Sequence, residues 1–157
     1  MRYAFPMPQS LSNVLVHVVF STKDRLPFLE AFPLRGAMHR YLASVSAQLG
    51  CPTVAVGGVA DHVHLLARLA RTTALAEWIK ELKRVSSLWV KDTEWAMEEF
   101  HWQAGYGAFS VSQSESGRVA RYIAQQHNHH RRVTFQSEFR TLLTRHALDF
   151  DERYVWD

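Results

Sequence analysis

Cysteine is almost absent from this sequence: Cys51 stands alone. A single thiol excludes an intrachain disulfide and any Cys-based zinc cluster, and it suits a reducing cytoplasm. Long apolar runs are missing too. No stretch approaches the roughly 18 residues that point to a membrane span, so no membrane partner is expected. No internal repeat, low-complexity tract or long linker divides the chain. Residues 1–10 lack a charged segment followed by an apolar core; they read as an irregular leader and not as a secretory signal. Neither sign of charge dominates: 18 Lys and Arg face 15 Asp and Glu, a formal net charge of +3. That balance permits a polyanionic partner without demanding one.

What is present fits one globular domain over residues 1–157. The chain is 47% hydrophobic and 21% charged, with enough length to bury a real core. Histidine is the exception to this ordinary composition. Nine of them favour metal or phosphate chemistry.

Strand and helix patterns alternate along the chain. Residues 13–20 alternate as a strand, with Val14, Val16, Val18 and Phe20 on one face and Leu15, His17 and Val19 on the other. Pro33 opens a helix whose stripe is Leu34, Met38, Tyr41, Leu42, Val45 and Leu49, ended by Gly50 and Pro52. Residues 53–59 and 62–69 read as a hairpin. Thr72 or Thr73 can cap a second helix with the stripe Leu75, Trp78, Ile79, Leu82, Val85 and Trp89. Residues 94–103 receive no assignment. Residues 107–111 read as a fourth strand, and Ser112 with Glu115 has capping-box spacing for a third helix running to about Asn128. A helix over 136–146 and a tail close the chain. This order predicts an α+β, ferredoxin-like sandwich: an antiparallel sheet with helices on one face and the other face free for a site or partner.

Three groups of residues carry chemistry. On the third strand His62 and His64 point to the same face, where two imidazoles can share one cation. Chance alone gives about half of one His-x-His match in such a composition, so two partly buried rings satisfied by neighbours fit the pattern as well. On the third helix Tyr122 and Gln126 are four apart and share a face, as core residues also do. On the second helix Lys80, Lys83, Arg84, Ser87 and Lys91 form a basic stripe. It is either a solvated face or a track for DNA phosphates. Lys23, Arg25, Arg131 and Arg132 extend it, and Trp89, Trp95, Trp102 and Tyr106 offer surfaces on which unpaired bases can stack.

Taken together, these segments resemble a known family. Asp61-His62-Val63-His64-Leu65-Leu66 resembles the His-hydrophobic-His motif of the HUH nucleases. The stretch from Val119 to Gln126 resembles the catalytic helix of single-tyrosine HUH transposases, those of the 200/605 class of insertion sequences and their relatives associated with repetitive extragenic palindromes. His17 to Lys23 and Trp102 to Val111 are similar to the same family.

The resemblance implies that Tyr122 is the nucleophile and that His62, His64 and Gln126 hold a divalent metal, Mg²⁺ or Mn²⁺. It implies cleavage and rejoining of single-stranded DNA beside a hairpin through a 5′-phosphotyrosine, with no nucleotide cofactor. It further implies a homodimer, with active sites that can be shared between subunits, and a cytoplasmic, nucleoid-associated protein of a bacterium or archaeon. A domesticated relative, a non-catalytic binder of hairpin single strands and a metal-dependent phosphoesterase stay open as alternatives. His127, His129 and His130 receive no role beyond favourable charge at a helix C-terminus, except that His129, seven residues after Tyr122, is placed to contact the scissile phosphate.

Overall fold

The computed structural model describes residues 8–93, 95 and 97–157. Most of the expected leader therefore lies outside the described residues, and residues 8–10 carry no regular element. Four strands form one antiparallel sheet: β1 (Leu15–Ser21), β2 (Thr53–Gly58), β3 (His62–Arg68) and β4 (Gly107–Val111), in the order β2-β3-β1-β4. With helices after β1 and β3, this is the α+β, ferredoxin-like arrangement that the element order implies.

Alternation along β1 and β3 divides the core in two. Val16, Val18, Phe20, Val63, Leu65 and Ala67 face helices α1 (Phe32–Gln48) and α2 (Leu75–Asp92). Trp78 and Trp102 also lie in this layer, and their indole N–H groups donate to Ser46 Oγ and Ser86 Oγ. Buried Trp is tolerated because each indole finds an acceptor. Trp102 is thus core, packed edge-on to Phe20 and Phe100, and Trp89 stacks on Tyr41 at 4.5 Å.

The opposite sheet face is covered rather than free. Here lie α3 (Ser116–Ala124), the short α4 (Gln126–His129) and α5 (Phe135–Arg145). Leu15 and Leu66 pack on Ile123, while Val19 and Phe109 pack on Phe135, Phe139, Leu142 and Leu143. Two glycines permit the close fit. A Cβ on Gly57 would stand 2.4 Å from the Ile123 carbonyl oxygen, and one on Gly107 would stand 2.5 Å from the Phe139 ring. Both helices reach the sheet because those strand positions have no side chain.

Three local expectations are corrected. The cap of α2 is Ala74, without a side-chain hydrogen bond, and not Thr72 or Thr73. Ser112 and Glu115 belong to a 3₁₀ turn before α3, with no side-chain cap. The third helix does not run unbroken to Asn128; it ends at Ala124, and Gln125 leaves the helical region before α4 begins. The N-terminus of α5 is capped by Thr134, whose side chain accepts a hydrogen bond from the Ser137 N–H.

Candidate active site and metal centre

The second face of the sheet carries a cluster of titratable groups that meet on one carboxylate. Strand pleating sends His17 from β1, and His62 and His64 from β3, to this face. The break at Gln125 turns Gln126 inward, where it is 1% exposed, while Tyr122 stays half-buried on α3. From α5 comes Glu138, 3% exposed, among the apolar residues Phe135, Phe139 and Leu142.

Glu138 uses both oxygens. Oε1 lies 3.0 Å from His64 Nε2, 3.2 Å from His130 Nε2 and 3.4 Å from His62 Nε2. Oε2 accepts hydrogen bonds from the Tyr122 hydroxyl and, at 3.1 Å, from Gln126 Nε2. Gln126 Oε1 is 3.1 Å from His62 Nε2. His129 Nε2 lies 3.1 Å from Oε2 but out of hydrogen-bond alignment, which leaves this buried nitrogen unpartnered. An outer ring of contacts orients the imidazoles: His62 Nδ1 to Asp61 Oδ1 at 2.8 Å, His64 Nδ1 to His17 Nε2 at 2.8 Å, and His130 Nδ1 to the Val133 carbonyl at 2.6 Å.

The electrostatics follow from this packing. Burial alone would push Glu138 up, but hydrogen bonds from His130, His62 and His64 outweigh it and hold the carboxyl far below its ordinary range. Burial likewise opposes protonation of His62, yet the Asp61 and Glu138 carboxylates lift it to about 9. His64 and His17 move the other way. Burial dominates there and lowers them to about 4 and about 3. Tyr122 is driven well above a free phenol by burial and by the charge and hydrogen bond of Glu138. Perturbed groups gathered beside a cleft make this cluster the candidate functional site.

The residues singled out from the sequence separate into two sets. Tyr122, His62, His64 and Gln126 come together within one chain. Arg131 and Arg132 are exposed and line a cleft of about 550 Å³ whose wall includes Tyr122, Gln125 and His129. Lys80, Lys83, Arg84 and Lys91 lie on α2, across the sheet from Tyr122. Of these, Arg84 pairs with Glu81. Lys83 turns inward, donating to the carbonyls of Gln103, Ala104 and Gly105 at 2.9, 3.2 and 2.6 Å. Lys23 is exposed in the turn after β1, and Arg25 lies over the Trp156 ring at 5.7 Å.

Four participants are additional to those the sequence singled out. Glu138 and His130 are central to the cluster. Arg118 and Arg145 line a second cleft, of about 300 Å³, on another side of Tyr122 together with His17 and His146. Glu138 did leave a signal: it is a charged residue in the middle of the stripe Phe135, Glu138, Phe139, Leu142. A carboxylate on the buried face of an amphipathic helix requires partners.

Comparison with known proteins gives a family and a fold. A family model described as "Transposase IS200 like" matches residues 10–126. No curated protein matches the sequence. Among solved structures, one of a candidate transposase from Deinococcus radiodurans R1 is similar, with 22% identity and a TM-score of 0.57 over 78% of this chain and 97% of that one. Another, a tyrosine transposase associated with REP sequences and bound to a REP hairpin, has 11% identity and a TM-score of 0.58, covering 82% of this chain and 74% of that one. At such identities the likeness is one of fold.

Proposed function

The chain belongs to the IS200-like transposase family, and from that premise we propose that it cuts and rejoins single-stranded DNA beside a short hairpin, with Tyr122 as nucleophile. One observation carries the reading. The Tyr122 hydroxyl, His62, His64 and Gln126 converge within a single chain on one buried carboxylate. The REP hairpin bound by a structural neighbour supports the substrate class. The reading takes residues 1–157 as one HUH domain that acts as a homodimer in the cytoplasm. Among the described residues no helix is long and apolar enough to cross a membrane.

His62, His64 and Gln126 would hold a divalent cation, and their donor set fits one: two imidazole nitrogens and an amide oxygen close together, with the imidazoles oriented from behind. When bound, Mg²⁺ or Mn²⁺ neutralises phosphate charge and polarises phosphorus; the imidazoles suit Mn²⁺ better.

The chain's own residues do the rest. The guanidinium groups of Arg131 and Arg132 in one cleft, and of Arg118 and Arg145 in the other, hold the backbone on either side of Tyr122. Tyr122 Oη attacks phosphorus in line. The Oη–P bond forms as the P–O3′ bond breaks, leaving a 5′-phosphotyrosyl ester and a 3′ oxygen that takes up a proton. The phenol donates to Glu138 Oε2, which orients Oη; Glu138 is too weak a base to keep the phenol proton, which passes to solvent as the Oη–P bond forms. A second 3′-hydroxyl then attacks the ester and releases Tyr122. Bond energy is conserved, so no nucleotide cofactor is needed.

The test is a covalent adduct. A labelled hairpin oligonucleotide with a single-stranded flank is incubated with the protein and Mn²⁺, then denatured. A shifted protein band that Tyr122→Phe abolishes is the expected result. Unshifted protein across several metals and flanks, with the DNA still bound, would establish a hairpin binder in its place.

A further inference from the structure

We infer that the cation site takes two ligands from beyond the tyrosine helix, His130 and Glu138, so that three imidazoles and one carboxylate hold a transition-metal ion. This rests on the metal-dependent reading above and extends it to residues outside the His-hydrophobic-His pair and Gln126. Glu138 thereby becomes a bridge, with one oxygen in the metal shell and the other on the nucleophile.

A carbonyl oxygen only accepts, so His130 Nδ1, 2.6 Å from the Val133 carbonyl, carries the hydrogen. With Nδ1 so occupied, Nε2 is the nitrogen left to face Glu138 Oε1 or a metal ion. His62 is bound by the same logic, because Nδ1 faces the Asp61 carboxylate at 2.8 Å. His64 reaches the same state when its Nδ1–H donates to His17 Nε2, 2.8 Å away. Three Nε2 atoms thus converge on Glu138 Oε1 at 3.4, 3.0 and 3.2 Å, and a metal ion would take the place of the hydrogens they share with it. Gln126 Oε1, 3.1 Å from His62 Nε2, adds a further acceptor.

One ligand atom from each of His62, His64, His130 and Glu138 lies within 4.8 Å of the others. Ligand atoms gathered this closely in a buried site are held together by positive charge among them, which shared protons or a metal ion can supply. The outer contacts are also those of a metal shell, in which each ligating imidazole gives its remote N–H to a carboxylate, a carbonyl or another acceptor. A set with three imidazoles favours Mn²⁺, Co²⁺ or Zn²⁺ over Mg²⁺, which prefers oxygen ligands. The bridge has a further effect. Glu138 Oε2 holds the Tyr122 hydroxyl and Gln126 Nε2, so metal and nucleophile are positioned by one side chain.

The experiment measures metal binding without DNA. The full chain, stripped with chelator, is titrated with Co²⁺ by calorimetry and by visible absorption, alongside His62→Ala, Glu138→Gln, His130→Asn and Gln126→Ala. Near-ultraviolet circular dichroism checks each fold. One ion per chain is expected, with at least tenfold weaker binding in both Glu138→Gln and His130→Asn and a visible spectrum that each alters. Wild-type affinity and an unchanged spectrum in both variants, with binding lost in His62→Ala, would overturn the inference and leave the broader reading standing. Absence of Co²⁺, Mn²⁺ and Zn²⁺ binding by the wild-type chain, or unaffected binding in His62→Ala, would overturn both. If Glu138→Gln does not fold, His130→Asn decides alone, since His130 sits at the rim of the cluster.

Discussion

Two charged side chains are withdrawn from water on opposite faces of the same sheet, and they are answered in opposite ways. Lys83 on α2 gives its ammonium to three carbonyls and lies 5.0 Å from the Phe20 ring centroid and 5.7 Å from that of Tyr106. Its three N–H groups match three acceptors, and the loop over residues 103–105 is fastened to α2. Glu138 on α5 draws in four histidine nitrogens, an amide and a phenol, more partners than one carboxylate can satisfy in a single protonation pattern. A matched centre is structural and has nothing left to bind. A mismatched centre stores a preference for another ion or group. The contrast separates Lys83, expected on a phosphate track, from the candidate site on the other face of the sheet.

The sharpest way to break this comparison is to remove one polar group from each centre. Tyr122→Phe should abolish the DNA adduct, lowering cleavage about a thousandfold or more, while Lys83→Met retains cleavage. Denaturing gels of both variants with the same hairpin decide it. Cleavage lost equally in Lys83→Met would place the α2 side chain in the reaction and end the division.

Metal sharpens it next. Mn²⁺ or Zn²⁺ at about a hundred times Kd should raise the unfolding free energy by about 2.7 kcal/mol in the wild-type chain. Lys83→Met should gain as much, and a His62→Ala, His64→Ala double variant should gain nothing. Thermal unfolding with and without chelator reads all three. Lys83→Met itself should cost about 1–3 kcal/mol, because the carbonyls of buried Gln103 and half-buried Gly105 lose their donor, with metal affinity unchanged.

The sequence makes some of this legible and hides the rest for physical reasons. Alternation along β1 and β3 sends Val18 and Val63 one way and His17, His62 and His64 the other, since the pleat leaves no choice. Tyr122 and Gln126 were paired by helical spacing, yet they meet Glu138 from two helices separated at Gln125. Their convergence is set by α5 packing and not by the period. The inward turn of Lys83 was hidden because its acceptors lie at 103–105, at and just beyond the stretch that no periodicity assigns. His130 was hidden for a similar reason: its role depends on the Val133 carbonyl and on a carboxylate eight residues later. Cross-element contacts of this kind write no period into the chain. A charge inside an apolar stripe, as at Glu138, is the one trace they leave.

The smallest expected effect concerns pH and tests whether Lys83 is as fully answered as its geometry implies. Burial pushes its ammonium down from 10.5 to about 8, and no carboxylate pairs with it among the described residues. Below pH 8 the amine is charged in both folded and unfolded chains, so folding carries the cost of withdrawing a cation. Between pH 8 and 10.5 the folded chain releases its proton while the unfolded chain keeps it. The unfolded state then binds more protons, and stability rises with pH across that window. Lys83 is only partly buried, so solvent screening reduces the effect to about 1 kcal/mol. The measurement is the difference in unfolding free energy between wild type and Lys83→Met at pH 7.5, 9 and 10.5 with chelator present. The gap should widen as pH rises, because the neutral amine still donates two hydrogens and no longer carries the desolvation cost. A gap that narrows would show that the three carbonyls bind the cation more strongly than burial opposes it, and Lys83 would then be an ionic anchor whose hold weakens with its charge.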